Sequence, residues 1–450
     1  MRNILNTLVF RLKNIIFRPK AVEQYKTAVK NCNLTAEQLL ELNWHKRKAI
    51  VWHAYSHTVF YKKYYDEIGF HPDMLTTLED WEKVPVLEKE MVRKYTEYIK
   101  ADNINKKYFG ESTTGGSTGA PLKVYTDKRF NIEILGWRAF KWWNVSPAAN
   151  IGIVHRRVPV AFVQKFLNRA LWFPTKRIYL NASSISDADL KKFVTNIKRK
   201  KISWLQGYVG GLECVADYIL KENIKIDTLE VVWSTSAPLY KNVRQKLEKA
   251  FNCKIMNQYG SCEVANIAIQ CPHSNNLHIN YDFVHLDIAD KNNCLILNEE
   301  GDVLVTSLYG FTFPLIKYRI GDKGRLLESE CSCKNPLPLL AEIQGRISDA
   351  VYTPDGLYIS GDYLTTVFDN YVDYINQFQI YQKNDYSITI YVKPYSKDEK
   401  TLKIISDVKE IIKQNVTNKV PVNVEIVDKI NDDRGKIRYI LSEIALSKVK

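Results

Sequence analysis

Short β-rich runs alternate with amphipathic helical stretches between residues 108 and 345. The strand-like runs, each ending in turn residues, are VVWSTSAPLY, HLDIAD, GDVLVTSLY and PLIKYRIGD. The stretches with a helical period are DADLKKFVTNIKRKK and YKNVRQKLEKAF. This alternation predicts a layered α/β body with its β-sheets inside.

The pattern changes after Gly345 to strand-like and helical runs of a smaller α+β type, namely QFQIYQK, YSITIYVK, TLKIISDVKEIIKQNV and PVNVEIVDKI. We therefore predict three parts. The first is a basic amphipathic helix over 1–20. The second is a large N-terminal α/β domain over 21–345, which begins with mainly helical sequence. The third is a small α+β C-terminal domain over 346–450.

The composition excludes several classes of protein. A chain of 450 residues can bury a substantial core, so it needs neither disulfides nor a metal simply to fold. With 45% hydrophobic and 25% charged residues, collagen, low-complexity disorder and small disulfide-rich scaffolds are excluded. No stretch approaches the roughly 18 apolar residues of a membrane-spanning helix. Eight cysteines without a cleavable signal favour a reducing, cytoplasmic location.

The net charge of +14 favours anionic partners such as nucleotide phosphates or an acidic membrane, or else reflects an ordinary solvated surface. Zinc-finger spacing, an RNP-type signature and an Arg-rich arm are all missing, so no nucleic-acid partner is expected. The oligomeric state stays open, with a dimer among the options.

The first twenty residues have the pattern of a basic amphipathic helix and contain no acidic residue. The apolar side chains on one helical face are Ile4, Leu5, Leu8, Leu12, Ile15 and Ile16, and the flanking basic ones are Arg2, Arg11, Lys13, Arg18 and Lys20. This suits a helix lying on an anionic membrane surface, which would make the protein peripheral on the inner membrane face. It suits equally an amphipathic helix docked on its own domain.

Glycine is scarce, at 19 of 450 residues, yet three glycines and five hydroxyl residues fill the eight positions from 112 to 119. Glycines allow successive backbone N–H groups to surround an anion, and the hydroxyl groups add donors. The Walker spacing is missing, and the strand-like KVYTD follows instead of the helix that a dinucleotide fingerprint requires. We predict a phosphate-binding loop, with a flexible linker as the alternative.

Four further motifs follow this loop in order. They are Ser236-Ala237-Pro238 after a hydrophobic strand, the run from Asn257 to Glu263 (NQYGSCE), the run from Tyr318 to Asp322 (YRIGD), and Gly345-Arg346. In addition, a Gly435-Lys436 pair lies close to the C-terminus. One carboxylate beside phosphate oxygens is a suitable ligand set for Mg²⁺.

The ordered motifs resemble those of the adenylate-forming enzymes, the acyl-CoA synthetase and luciferase superfamily. Within it they resemble the phenylacetate–CoA ligase-like group, including its capsular-polysaccharide branch, over nearly the whole chain. The resemblance implies that a small carboxylate is activated with ATP as an acyl-adenylate and passed to coenzyme A. The alternatives are transfer to a sugar amine or amino acid of a glycan precursor, or a non-catalytic nucleotide-binding relative.

The resemblance also implies roles for individual residues. The expected ATP or AMP site consists of Ser112, Thr113, Thr114, Gly115, Gly116, Ser117, Thr118, Gly119, Ser236, Ala237, Pro238, Asn257, Gln258, Tyr259, Gly260, Ser261, Asp322 and Arg346. Tyr259 is expected to stack on adenine, and Asp322 is expected to bind the ribose hydroxyls.

Two residues are expected to be catalytic, Glu263 as the Mg²⁺ ligand and Lys436 as a lysine carried by the mobile C-terminal lid. Ser348 and Asp349 are expected at the hinge of that lid. Three positions depart from the pattern: Ser236 and Ala237 stand where many relatives have Gly-Glu, and Cys262 occupies a position that is often Thr or Ser. The carboxylate pocket is expected near Gln206-Gly207-Tyr208 and His155-Arg156-Arg157, without an identified substrate.

Two Cys/His pairs lie on separate segments. Cys271 precedes His278 by seven positions, and Cys331 and Cys333 bracket one serine. Together they would supply the four ligands of a structural zinc site. The C-x-C spacing is tighter than usual and His273 competes with His278, so free buried cysteines beside an unrelated histidine are the alternative.

Overall fold

A computed structural model describes residues 4–113, 122–156, 158–159, 161–183, 185–236, 239, 241–341, 343, 350–360, 364, 367–371, 374–416, 419–430 and 440–444. The α-helices in these ranges are α1 Ile4–Phe17, α2 Pro19–Asn31, α3 Ala36–His57, α4 Val59–Glu67, α5 Lys89–Ile99, α6 Glu133–Trp142, α7 Phe162–Trp172, α8 Asp187–Arg199, α9 Val209–Lys221, α10 Lys241–Phe251 and α11 Glu399–Asn415. Among the residues described, no helix combines the length and apolar character needed to cross a membrane.

The β-strands in the same ranges are β1 Phe109–Thr113, β2 Lys123–Asp127, β3 Ile151–His155, β4 Arg177–Asn181, β5 Trp204–Tyr208, β6 Val231–Thr235, β7 Ile255–Tyr259, β8 Ala268–Gln270, β9 Leu277–Ile279, β10 Val284–Ala289, β11 Gly301–Ser307, β12 Tyr318–Gly324, β13 Leu326–Leu327, β14 Leu339–Leu340, β15 Ala350–Tyr352, β16 Tyr358–Ser360, β17 Ile375–Gln382, β18 Ile388–Pro394, β19 Val422–Ile426 and β20 Ile440–Ser442. The chain divides into two compact units, of residues 1–112, 123–149 and 256–346, and of residues 113–122, 150–255 and 347–450.

The first unit contains helices α1 to α6 and antiparallel strands. One sheet has the order β10–β11–β12, and β7–β8–β9–β14–β13 form a second row of paired strands. Helix α2 is joined to α6 through a fully buried ion pair, in which Arg138 lies 2.8 Å from Asp282 and Asn31 donates to the same carboxylate at 2.9 Å. Buried charges persist when paired and hydrogen-bonded in this way.

Strand β12 contains a bulge that matters for the site. Leu304 of β11 pairs with Arg319 and Asp302 pairs with Lys323, so three residues of β12 lie opposite the single residue Val303. One of the three, Gly321, has φ +93°, which is a left-handed conformation that glycine adopts without steric strain. Bulges of this kind redirect side chains and are frequent next to active sites.

The second unit contains a parallel sheet with the order β6–β5–β3–β4, packed against helices α8, α9 and α10. Val154, Leu205 and Val232 are fully buried in its core. A Cβ atom at Gly152 would lie 2.4 Å from the Leu205 side chain, so only glycine allows this close packing of neighbouring strands.

The C-terminal part of the second unit is a four-stranded sheet with the order β19–β18–β17–β20. Strands β17 and β18 are antiparallel, whereas β18/β19 and β17/β20 are parallel. Helix α11 buries Ile405, Val408 and Ile412 in the same hydrophobic core. The predicted α/β and α+β patterns are therefore confirmed. The boundary near 345–350 lies mostly on 344–349, outside the described residues, and stays a prediction.

Candidate active site

The predicted phosphate loop connects two strands of one small sheet. Ser112 and Thr113 end β1, and β2 begins at Lys123. The remaining predicted residues of this loop lie outside the described ones, as do Ala237, Pro238, Arg346, Ser348, Asp349 and Lys436. A loop between two paired strands fits the prediction that a strand, and not a helix, follows the glycines.

Tyr259 and Asp322 lie side by side in the first unit. Tyr259 is the last residue of β7, and its hydroxyl donates a hydrogen bond of 3.0 Å to Asp322 Oδ2. Asp322 belongs to the bulged part of β12, directly after Gly321. A flat ring beside a carboxylate is chemically suited to a nucleoside, because the ring offers a stacking surface and the carboxylate accepts hydrogen bonds from a diol.

The turn after Tyr259 is closed by Ser261. The Ser261 hydroxyl accepts hydrogen bonds from the backbone N–H groups of Glu263 at 3.1 Å and Val264 at 3.0 Å, and the Ser261 N–H donates to the Val264 carbonyl at 3.1 Å. A Cβ atom at Gly260 would lie 2.7 Å from the Asn266 nitrogen, so the backbone passes too close for a larger residue. This turn fixes the direction of Glu263.

The predicted metal ligand Glu263 has a buried carboxylate, with only 5% of its side chain exposed. Tyr318 donates to Glu263 Oε1 at 3.2 Å, and Lys89 Nζ lies 3.7 Å from the same oxygen. Burial raises the pKa of the Tyr318 phenol and the Glu263 carboxylate raises it further, so Tyr318 remains a donor. One buried carboxylate beside a lysine can bind a divalent cation if the ion replaces the lysine as its charge partner.

Lys89 was not among the site residues predicted from the sequence. Backbone hydrogen bonds of Leu87 position Lys89 near Glu263. The Leu87 N–H donates to Lys317 O at 3.1 Å, and the Arg319 N–H donates to Leu87 O at 3.0 Å. These backbone bonds hold the start of α5 against β12. No local sequence signal marks Lys89 among 64 basic residues.

The Arg319 side chain forms ion pairs within the first unit. It lies 3.0 Å from Glu88 and 2.6 Å from Asp302. These contacts join β12 to the carboxylates of Glu88, before α5, and Asp302, on β11, so Arg319 stabilises the strand that carries Asp322. In the run YRIGD, the tyrosine and the aspartate therefore face the candidate site while the arginine supports it.

In the second unit, predicted pocket residues meet at one edge of the parallel sheet. His155 ends β3 and Tyr208 ends β5, and the Tyr208 hydroxyl lies 2.6 Å from His155 Nε2. Ser236 follows β6 and is exposed with φ +72°, a conformation that favours glycine. Ligands of parallel α/β sheets bind at the carboxyl ends of the strands, where these three residues lie.

The structure also brings together all four predicted zinc ligands. One nitrogen or sulfur atom from each of Cys271, His278, Cys331 and Cys333 lies within 4.8 Å of the others. The competing His273 is exposed. Burial raises the pKa of the Cys333 thiol to about 12 and lowers the pKa of His278.

Comparison with known proteins identifies relatives over most of the chain. Residues 351–443 match the CapK C-terminal domain family. The protein CapK of Staphylococcus aureus is 24% identical over 384 residues, which are 82% of this chain and 81% of CapK. Phenylacetate-coenzyme A ligase of Pseudomonas putida is 24% identical over 329 residues, covering 70% of this chain and 71% of that protein.

Solved structures share the fold. A 2-hydroxyisobutyryl-CoA ligase in complex with 2-HIB-AMP and CoA, in its thioesterification state, matches with a TM-score of 0.63 and 17% identity over 93% of each chain. The same ligase in its postadenylation state matches with a TM-score of 0.57 over 90% of each chain. The chain is therefore similar to CapK and to the phenylacetate–coenzyme A ligases over most of its length, and it has the fold of the 2-hydroxyisobutyryl-CoA ligase.

Proposed function

We propose that this chain uses ATP to activate a small carboxylate as an acyl-adenylate and transfers the acyl group to coenzyme A. The single observation that supports this most is the Tyr259–Asp322 hydrogen bond, which sits one turn away from the buried Glu263 carboxylate. The residues proposed to bind the nucleoside and the metal are thus close together in the chain and in the first unit. Relatives named as coenzyme A ligases support the same reaction class.

In this proposal the nucleotide is bound by the predicted residues in their predicted roles. Residues 112–119 hold the phosphates through backbone N–H and hydroxyl groups. Tyr259 stacks on adenine, supported by the backbone of 236–238 and 257–261, and Asp322 accepts the ribose hydroxyls with Arg346 beside it. Glu263 would hold Mg²⁺, which neutralises phosphate charge when bound.

The reaction has two steps. A substrate carboxylate oxygen attacks the α-phosphorus of ATP, a new O–P bond forms, and pyrophosphate leaves. The sulfur of coenzyme A then attacks the acyl carbon, and AMP leaves. Lys436 stabilises the charge of the first step, and a group of this kind is worth on the order of 10²–10³ in rate. Movement of the C-terminal domain at Ser348 and Asp349 withdraws Lys436 between the steps.

The carboxylate substrate is proposed to bind near His155 and Tyr208. Their 2.6 Å contact places a hydroxyl and an imidazole together at the carboxyl ends of β3 and β5. Since one of these groups donates to the other, the remaining hydrogen can be donated to a carboxylate, by Tyr208 or by His155 Nδ1 depending on the histidine tautomer. Arg156 follows β3 directly and adds positive charge at the same edge.

Transfer to an amine of a glycan precursor is the second candidate, and a role in surface polysaccharide assembly would accompany it. The match to CapK over 82% of the chain favours this candidate. Non-catalytic nucleotide binding is the third. A panel of carboxylates in ATP–pyrophosphate exchange, followed by coenzyme A or amino sugars as acceptors, separates the three.

The decisive variant is Lys436→Ala, with Lys429→Ala as the matched control because Lys429 is an exposed lysine of the same domain. We expect Lys436→Ala to lower pyrophosphate exchange about 10²–10³-fold while ATP still binds, and Lys429→Ala to retain exchange. Exchange at the wild-type rate in Lys436→Ala would remove Lys436 from its role. Failure of every carboxylate to support exchange in the wild-type protein would favour the non-catalytic candidate.

We also propose that α1 attaches the protein to an anionic membrane surface. The helix has an outward apolar stripe, with Ile4, Leu5, Leu8, Leu12, Ile15, Ile16 and Phe17 between 53% and 76% exposed. The side chains of Asn6 and Thr7 face the protein instead: Asn6 donates to Ala148 O at 3.2 Å, and the Thr7 hydroxyl lies 2.9 Å from the Ser146 hydroxyl. A helix docked on its own domain would bury the apolar stripe, so this arrangement favours lipid as the partner.

Sedimentation with lipid vesicles tests the attachment. We expect binding to vesicles of phosphatidylglycerol and phosphatidylcholine but not to phosphatidylcholine alone. The double variant Leu8→Ser/Leu12→Ser should bind at least about tenfold more weakly, because each buried leucine contributes about 1.5–3 kcal/mol. Val59→Ser/Ile68→Ser, at two exposed positions around α4, is the control. Equal binding of both double variants would exclude α1 as the anchor.

A further inference from the structure

The Cys/His cluster is built from two separate pairs of strands in the first unit. Cys271 follows β8 directly and His278 is the middle residue of β9, while Cys331 and Cys333 lie in the loop between β13 and β14. Strand pairing brings the two segments together, because Leu339 of β14 pairs with His278. The cluster is therefore placed by the backbone of the fold.

The ligand atoms are close to the spacing of a tetrahedral zinc site. With Zn–S near 2.3 Å and Zn–N near 2.0 Å, tetrahedral ligand atoms lie about 3.5–3.8 Å apart. The Cys271 and Cys331 sulfurs are 3.6 Å apart, and Cys333 Sγ is 3.2 Å from His278 Nε2. Cys271 and Cys331 are not joined by a disulfide in the structure.

The histidine is oriented as a metal ligand. His278 is fully buried, and its Nδ1 lies 2.9 Å from the Leu337 carbonyl, to which it donates as the protonated ring nitrogen. This leaves the unprotonated Nε2 pointing at the sulfurs. A backbone carbonyl that fixes the tautomer in this way is the usual second partner of a zinc-bound histidine.

The cluster is largely buried among apolar side chains. Cys271, Cys331 and Leu339 form one buried hydrophobic cluster, with Trp142, Leu327 and Cys333 packed against it. Three sulfur atoms and one imidazole nitrogen therefore converge within 4.8 Å of one another in a largely buried cluster. A divalent cation with a preference for sulfur and nitrogen suits this set of ligand atoms.

We propose that Cys271, His278, Cys331 and Cys333 bind one structural Zn²⁺ ion. Binding takes up the ion with three thiolates and a neutral imidazole, and the three thiol protons are released to solvent. All four positions are filled by protein, so the ion has no open position for catalysis. Its effect is to fasten the β13–β14 loop, which follows Asp322 and β12 in the chain, to β8 and β9.

Metal analysis of protein purified under reducing conditions is the first test. We expect about one zinc per wild-type chain, as for a closed four-ligand site. Cys271→Ser and Cys333→Ser should lower the zinc affinity at least about 10–100-fold. Cys294→Ser is the matched control, because Cys294 is an exposed cysteine outside the cluster, and it should retain zinc.

A second variant guards against misfolding of the serine variants. His278→Cys keeps four zinc ligands, so it should bind zinc and, with cobalt in place of zinc, show a stronger sulfur-to-cobalt charge-transfer absorption than the wild type. Wild-type protein that contains no stoichiometric metal, and shows no cobalt absorption after reconstitution, would overturn the proposal. Retention of zinc in Cys271→Ser/Cys333→Ser would overturn it equally. Neither result bears on pyrophosphate exchange, which tests the ligase function independently.

Discussion

The hydroxyl of Tyr259 can be removed while the ring that we propose to stack on adenine remains. Tyr259→Phe deletes the 3.0 Å hydrogen bond to Asp322 and leaves that carboxylate less well oriented for ribose. Since a hydrogen bond to a charged group contributes about 1.5–3 kcal/mol, we expect the KM for ATP in pyrophosphate exchange to rise about tenfold or more, with a smaller change in kcat.

Tyr179→Phe is the control for this variant. It removes a comparable 2.6 Å hydrogen bond, from the Tyr179 hydroxyl to Asn168, at a position without a proposed role in nucleotide binding. We expect its KM for ATP to equal that of the wild type. An unchanged KM in Tyr259→Phe as well would separate the Tyr259–Asp322 pair from nucleotide binding.

Two buried tyrosines one turn apart on α4 offer a matched comparison of stability. Tyr61 donates to Pro314 O at 3.0 Å and accepts from the Ile316 N–H at 3.3 Å. The Tyr65 hydroxyl is buried without a hydrogen-bond partner among the described residues. A buried hydroxyl without a hydrogen-bond partner destabilises the folded protein by about 1–3 kcal/mol. Removing the Tyr61 hydroxyl has the opposite consequence, because it leaves the Pro314 carbonyl and the Ile316 N–H without that partner.

We therefore expect opposite effects of the same substitution. Tyr65→Phe should raise the free energy of unfolding by up to about 1 kcal/mol, and Tyr61→Phe should lower it by about 1–3 kcal/mol. Urea unfolding followed by tryptophan fluorescence measures both. A destabilised Tyr65→Phe protein would mean that the hydroxyl has a partner after all.

The bulge of β12 is the feature of secondary structure on which the position of Asp322 depends most. Gly321→Ala forces a side chain onto a residue with φ +93°, at about 1–2 kcal/mol. We expect a loss of stability of that size and, because Asp322 is the next residue, a several-fold rise in the KM for ATP. Differential scanning calorimetry and pyrophosphate exchange measure the two effects.

Gly69→Ala is the control that distinguishes the backbone strain of Gly321→Ala from its effect on the position of Asp322. Gly69 has φ +70°, and a Cβ atom added there would meet no atom within 4 Å, so the same substitution has a similar backbone cost at a position remote from the candidate site in sequence. It should lose stability without changing the KM. Equal changes of KM in both variants would show that the effect of Gly321→Ala is global destabilisation.

Local periodicity predicted most strands and helices, because side-chain alternation is a property of consecutive residues. The strand that carries Asp322 and the helix α11 are examples. The bulge in β12 was not predictable, because it depends on the register with β11. Lys89 was missed for a related reason: the pairing of Leu87 with β12 joins residues far apart in sequence, and periodicity carries no information on such contacts.

At the scale of the whole chain, the Cys/His cluster shows what residue type alone can predict. Four Cys and His positions on two distant segments were predicted from residue type alone, and the structure brings all four together. The grouping of residues 150–255 with 347–450 in one compact unit has no comparable signal. It arises from packing between distant segments, such as Tyr352 against the core of the parallel sheet.

Stability of the whole molecule should fall steeply at alkaline pH, because many phenol and thiol groups are buried. Burial raises the pKa of Tyr281 and of Cys253 to about 12 each, and it also raises those of Tyr61, Tyr65 and Tyr309. A group whose pKa is raised in the folded state contributes stability that is fully present below its unfolded pKa and is lost as the pH rises towards the folded pKa. For the tyrosines this loss begins near pH 10, and for the thiol near pH 9.

Urea unfolding at several values between pH 8 and pH 11.5 measures this dependence. Each buried phenol adds up to about 1.4 kcal/mol of lost stability per pH unit between its two pKa values. Tyr281→Phe should therefore make the decline shallower by that amount above pH 10, whereas Tyr395→Phe, at an exposed tyrosine, removes no buried phenol and should leave the slope unchanged. A free energy of unfolding that stays constant to pH 11 would contradict the burial of these groups. It would mean that the folded protein loses as many protons as the unfolded chain over this pH range.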